Sequence, residues 1–227
     1  MTPRIRRDDQ HQAVLDAIKQ AARDLMAEKG TAGLSIRAIA RRLEMTPPAL
    51  YHYFANLDAL ITALIADAYH ALADTLEAAL ADQCDLAPAD QLRLLMRLYR
   101  EWALAHPTDF TLIYGSPIPG YQAPLEATLP AARRTLTLFA TISGAALQQG
   151  AAPVADVPAP LRDSLAAVRD HEGLDLPLGA LYFTIVGWSQ IHGLIMLELF
   201  NHLQPLIDDR AALYHHAVDR MLLSFGV

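Results

Sequence analysis

The stretch Ser35-Ile36-Arg37-Ala38-Ile39-Ala40-Arg41-Arg42-Leu43-Glu44-Met45-Thr46-Pro47-Pro48-Ala49-Leu50-Tyr51-His52-Tyr53-Phe54 decides how the chain is read. Ile36, Ile39, Ala40 and Leu43 recur at three- and four-residue steps, the period of a helix with one apolar face. Ser35 stands just before that face and can cap it by accepting a backbone N–H. Glu44-Met45 reads as a turn. Thr46 is the expected cap of a second, very short helix, with Pro47 at its first position, where a missing N–H costs nothing. That helix is predicted to end near Phe54, with Leu50 and Phe54 as its apolar side. Two short helices joined by a tight turn match a helix-turn-helix. Left outward are Arg37, Arg41, Arg42, Thr46, Pro47, Ala49, Tyr51, His52 and Tyr53. Cations and aromatic hydroxyls on one small surface suit phosphate oxygens and base edges. A helical hairpin with a solvated basic face has the same pattern, so the pattern alone leaves both readings open.

Outward from this stretch the period stays helical, and no strand alternation appears. Residues 9–29 form a first helix with Val14, Ile18, Ala21, Ala22 and Leu25 on one face and Gly30 just past its end. Asn56 can cap a long fourth helix reaching about Leu80. Later helices are expected from Pro88 to Ala105, over Thr108–Tyr114, Pro124–Gln149 with Pro130 as a possible kink, Leu161–Asp170, Leu178–His202 and Pro205–Phe225. The intervals Asp82–Pro88, Gly115–Ala123 and Gly150–Pro160 carry the Gly, Pro and Asp of loops.

Composition narrows the function. The 227 residues are 53% hydrophobic, enough for a sizeable core. One cysteine, Cys84, excludes a disulfide framework and a Cys-based zinc cluster, and fits a reducing compartment. No apolar run follows the basic start, so no signal peptide is read and a cytoplasmic location is expected. The net charge of −7 hides an asymmetry: residues 1–56 hold nine Lys/Arg against six Asp/Glu, and residues 57–227 hold nine against nineteen. Only the N-terminal quarter is suited to meet a polyanion. Pro177–Leu197 has no charged residue and is long enough to span a bilayer. Ser189, Gln190, His192 and three glycines within it favour a buried helix, and no membrane partner is expected. The nine histidines show no metal-ligand spacing, and no Gly-x-Ser-x-Gly elbow or phosphate-cradling loop occurs. Neither enzyme activity, nor a metal, nor a cofactor is expected.

The N-terminal arrangement resembles the TetR family of transcriptional regulators. Residues 9–60 carry the likeness: a helix ending in Gly, then Leu-Ser-Ile-Arg-x-Ile-Ala, then Thr-Pro-x-x-Leu-Tyr-x-Tyr-Phe, then a long helix. The resemblance implies that Arg37 reaches a base, that Thr46, Tyr51 and Tyr53 touch phosphates or base edges, and that Pro47, Ala49 and His52 line the groove. Two positions depart from the family pattern. The turn position usually held by Gly is Glu44, where a left-handed backbone would be mildly strained. The first turn of the fourth helix has Leu57 where a phosphate-gripping Lys is usual, which shifts phosphate affinity toward Arg4, Arg6 and Arg7.

A second likeness lies in Trp188-Ser-Gln-Ile-His192-Gly193, which looks like the Trp-x-x-x-His-Gly signature of one TetR subgroup. Trp188 and His192 share a helical face, and Gly193 admits a close neighbour. Core packing and pocket lining both fit. Tyr69, Met96, Tyr99, Trp102, Phe110, Tyr114, Phe139, Trp188 and His192 are the candidate effector-pocket residues, and the shortage of charge among them points to a hydrophobic or aromatic ligand.

The whole reads as an all-α chain. Residues 1–56 are a DNA-binding helix-turn-helix domain for double-stranded operator DNA. Residues 57–227 are a helical domain that binds a small-molecule effector and pairs into a homodimer through its last two helices. The fourth helix is expected to link the two domains. A ligand-responsive repressor follows; the alternative is a small-molecule-binding protein of the same fold that has lost operator binding.

Overall fold

The computed structural model describes residues 3–149 and 157–227, with side chains from residue 9 onward. Among these, all regular structure is helical. The helices are α1 (Pro3–Lys29), α2 (Ile36–Arg42), α3 (Pro47–Leu50), α4 (Leu57–Asp82), α5 (Pro88–Ala105), α6 (Pro107–Tyr114), α7 (Leu125–Gln149), α8 (Ala159–Glu172), α9 (Leu178–Leu199) and α10 (Arg210–Ser224). The backbone of Arg4, Arg6 and Arg7 belongs to α1, while their side chains lie outside the described residues. So does most of the expected Gly150–Pro160 loop.

The helix starts follow local chemistry. Ser35 Oγ accepts from Ala38 N at 3.1 Å and opens α2; Asn56 Oδ1 accepts from Ala59 N at 2.8 Å and opens α4. Gly30 ends α1 with φ 67° and ψ −178°, a conformation open chiefly to glycine. Helix α7 keeps Pro130 inside it, in line with a helical segment reaching Gln149. Three expectations shift. α1 begins at Pro3 instead of residue 9. The last helix begins at Arg210 instead of Pro205, because Asp209 accepts from Ala212 N at 2.9 Å. α9 stops at Leu199: Asn201 turns left-handed (φ 61°), and His202 N donates back to the Leu197 carbonyl at 2.9 Å.

The chain divides into two compact units. The first comprises Met1–Tyr69 and His106–Pro130; the second comprises His70–Ala105 and Ala131–Val227. The first unit therefore extends past residue 56 and includes α6. The division falls inside α4 and inside α7, so α4 is not the sole helix shared by both units.

The first unit is built on Ile18, Ala22, Ile39, Leu50, Leu60 and Leu64, none more than 1% exposed. Leu112 and Ile113 of α6, and Ile118 and Tyr121 after it, pack against this core. Charge fastens α6 as well: Arg23 Nε of α1 donates to Asp109 at 2.9 and 3.2 Å, and Asp67 of α4 meets Lys19 at 2.8 Å.

The second unit buries Tyr99, Phe183, Leu181 and Tyr214. It also buries an ion pair. Arg100 of α5 grips Glu198 of α9 through two hydrogen bonds of 2.8 and 2.7 Å, and the guanidinium lies 5.6 Å from the Tyr214 ring of α10. The Tyr214 hydroxyl donates to the Met96 carbonyl at 2.7 Å, and burial pushes its pKa up. Both partners are about one-tenth exposed, and Arg210 Nε of α10 lies 3.6 Å from the same Glu198 carboxylate. Loss of Glu198 therefore strands the Arg100 charge, while loss of Arg100 leaves Glu198 only the longer Arg210 contact. Helix α9 is apolar and long enough to cross a membrane, as is α4. In α9, Ala180, Leu181, Phe183, Ile191 and Ile195 are buried within the second unit.

Candidate nucleic-acid interface and effector pocket

The turn after α2 sets the geometry of the recognition surface. Met45 N donates to the Ala40 carbonyl at 2.9 Å and Glu44 N to the Arg41 carbonyl at 3.3 Å, with Glu44 left-handed at φ 54°. This is a Schellman-type closure. The expected strain at Glu44 is present, since its Cβ crowds the backbone in that conformation.

Helix α3 is only four residues long. It does not continue to Phe54. Tyr53 N and Phe54 N both bond to the Leu50 carbonyl, at 2.9 and 3.0 Å, so residues 51–53 wind as turns. Buried Leu50 and Phe54 anchor the segment from below. Thr46 occupies the cap position, but its hydroxyl does not cap. Ala49 N bonds instead to the Thr46 carbonyl at 3.0 Å, so the hydroxyl stays available to a partner.

Arg37, Thr46, Pro47, Tyr51 and His52 are exposed; Ala49 and Tyr53 are half-buried. Tyr53 packs on the first unit's core and stacks on His11 of α1. Arg37 and Arg41 make no ion pair among the described residues. Arg42 differs: its guanidinium meets Glu28 at 2.8 Å and Asp24 at 3.4 Å on α1, which removes it from the outward set. The sequence concealed this because the acids lie more than three helical turns earlier in the chain.

The nine pocket candidates fall into two groups. Tyr69, Phe110 and Tyr114 belong to the first unit. There the Tyr69 ring meets Tyr114 edge-on at 5.8 Å, its hydroxyl reaches the Ile113 carbonyl at 3.5 Å, and burial raises its pKa. Phe110 is fully buried, 5.1 Å from the Tyr114 ring. Met96, Tyr99, Trp102, Phe139, Trp188 and His192 belong to the second unit.

Trp188 and His192 converge on one hydroxyl. Trp188 Nε1 donates to Tyr99 Oη at 3.1 Å, and Tyr99 Oη lies 3.0 Å from His192 Nδ1. Indole can only donate, so the Tyr99 oxygen accepts from Trp188; toward His192 the hydroxyl donates or accepts according to which ring nitrogen carries the proton. Burial lowers the His192 pKa, which agrees with a neutral ring. A cavity of about 10 Å³ lies beside this network, lined by Met96, Phe139, Ser143, Phe183, Thr184, Gly187, Trp188 and Ile191. It has room for about one water. The glycine that admits a close neighbour is Gly187, where a Cβ would lie 2.9 Å from Met221 Sδ; at Gly193 it would meet nothing within 4 Å. A wider groove of about 730 Å³ lies between the end of α4, α5 and α10, with Leu86, Leu94, Leu98 and Val218 along it and the Arg93–Asp219 pair among its lining residues. None of the nine candidates lines it.

Two short helices across a closed turn, on a three-helix support and with cations facing out, define a helix-turn-helix DNA-binding protein. Comparison with known proteins agrees. Residues 18–64 match the model of bacterial regulatory proteins of the tetR family, and residues 92–221 match a tetracyclin repressor-like C-terminal domain. The chain is 34% identical over 198 residues to the HTH-type transcriptional regulators Rv1816 of Mycobacterium tuberculosis and Mb1846 of Mycobacterium bovis, covering 86% of this chain and 84% of each relative. It is also similar to the crystal structure of the protein SCO4313, at 33% identity and a TM-score of 0.78, covering 97% of this chain and 99% of the other. The chain belongs to the TetR family of helix-turn-helix transcriptional regulators.

Proposed function

We propose that this regulator is a repressor that binds a two-fold operator as a homodimer and leaves it when a small hydrophobic or aromatic effector binds its C-terminal domain. The observation that carries the DNA reading is the state of the outward face. The side chains of Arg37, Thr46, Tyr51 and His52 are exposed and make no hydrogen bond among the described residues, while their neighbour Arg42 is paired with acids of α1. In this reading Arg37 contacts a base, Thr46, Tyr51 and Tyr53 contact phosphates or base edges, and Pro47, Ala49 and His52 line the major groove.

The effector reading rests on the apolar walls around the Trp188–Tyr99–His192 network and on Tyr69, Phe110 and Tyr114. It places the chain with the Trp-x-x-x-His-Gly subgroup. The homodimer reading rests on exposed Ile185, Val186, Leu197 and Leu223 of α9 and α10. An isologous four-helix contact would cover them, and the protein would act in the cytoplasm.

A second reading, a ligand-binding protein without operator affinity, draws on Leu57 and Glu44. The test is selection of duplexes from a random-sequence pool, followed by titration of the winner. Enrichment of a palindromic site bound far more tightly than random duplex supports the repressor's DNA half; no enrichment favours the second reading.

A further inference from the structure

We propose that His11, on α1, is a positioning residue for DNA recognition: its ring holds Tyr53 in the orientation in which the Tyr53 hydroxyl meets DNA. The inference rests on the reading that Tyr53 is a DNA contact. His11 lies outside the helix-turn-helix itself and outside the motif that marks the recognition segment.

The geometry is specific. The two rings lie 4.9 Å apart, centre to centre, and 22° from parallel. That is an offset stack, the arrangement aromatic rings favour. His11 is exposed and forms no hydrogen bond or ion pair among the described residues, so its ring is engaged with Tyr53 and little else. Tyr53 needs such a support. It sits in the turns after α3, outside a regular helix, where its own N–H bonds to the Leu50 carbonyl at 2.9 Å. One side of the ring rests on the first unit's core. The other side would face water without His11. The hydroxyl has no partner among the described residues, so no hydrogen bond fixes the side chain's rotamer, and its ring packing, on the core and on His11, has to do so.

The stack therefore removes rotamer freedom before DNA arrives. A Tyr53 already held in place loses less entropy on binding, which is preorganisation. It also ties the reading segment to α1, so that the two present themselves to DNA together.

The experiment uses the full chain and the duplex it selects from a random pool. His11→Ala is expected to weaken binding about three- to tenfold, the range of an aromatic pair's contribution. His11→Phe keeps a stacking ring without a titratable charge and is expected to stay within about twofold of the unaltered chain. In a Tyr53→Ala background, His11→Ala should change nothing further. Thermal unfolding should be the same for His11→Ala and His11→Phe to within a degree or two, since the pair is on the surface. Unchanged affinity in His11→Ala overturns the proposal. So does an equal loss in His11→Ala and His11→Phe with a shallower salt dependence, which would make His11 a phosphate contact itself. If Tyr53→Ala binds as well as the unaltered chain, the assignment of Tyr53 to DNA fails separately.

Discussion

Replacing Glu44 by glycine should make the first unit more stable. Glu44 holds φ 54°, is exposed, and its side chain makes no hydrogen bond or ion pair among the described residues. A left-handed residue with a Cβ costs about 1–2 kcal/mol relative to the right-handed region. Glycine removes that cost but adds freedom to the unfolded chain, which gives back about 0.4–1 kcal/mol. The net gain is about 0.5–1 kcal/mol. Both tryptophans, Trp102 and Trp188, lie in the second unit, so tryptophan fluorescence would watch the wrong half. Native-state hydrogen exchange of the Ile39 and Leu43 amides is the suitable reporter, and it should slow about two- to fivefold. Glu44→Ala is the control. It removes the same charge but keeps a Cβ in the strained conformation, so its exchange should not slow. Equal protection in Glu44→Ala and Glu44→Gly would refute the strain argument. Both variants should bind DNA more tightly at low salt, because each removes a negative charge beside the reading face.

Arg37→Ala should cost about 1–3 kcal/mol of operator binding and relax preference at one base pair per half-site, whereas Tyr51→Phe should weaken all sequences alike; parallel titrations of operator variants separate the two. Arg100→Met should lower stability by less than the about 3–5 kcal/mol of a fully broken buried pair, because Arg210 stays 3.6 Å from Glu198, and Arg100→Met with Glu198→Leu should recover most of it in urea titrations. Burial holds the native His192 pKa below the ordinary value, so the unfolded chain binds more protons once the pH drops below about 6.5. Stability should therefore fall on acidification through that range, and His192→Gln should make the decline shallower. Sedimentation at micromolar concentration should show a dimer, and its interface should bury on the order of 2,000 Å² in total.

What could be seen in the sequence was local. Ser35 and Asn56 act within three residues of themselves, and both caps are found where the spacing puts them. The positive φ at Glu44 was legible through the family resemblance, in which glycine usually holds that turn position. What escaped depends on residues far apart in the chain. Arg42 is claimed by Glu28 and Asp24, Arg100 by Glu198, and α6 is drawn to α1 by Arg23 and Asp109, 86 residues away. Periodicity carries no information about such partners. It likewise gave no sign that Tyr53 would lie against His11. Thr46 shows a subtler limit: the residue type and position suited a cap, yet the backbone carbonyl took the N–H first.

The neutralised Arg42 bears on how the regulator moves about a genome. Affinity for arbitrary DNA comes from cations that displace counterions, and the described reading face keeps Arg37 and Arg41 while surrendering Arg42 to α1. Residues 57–227 carry nine Lys/Arg against nineteen Asp/Glu. With Arg42 paired, the chain is expected to linger less on an arbitrary sequence than it would with that cation free to meet phosphate. Residence at a correct site is then expected to draw correspondingly more on base edges and close fit.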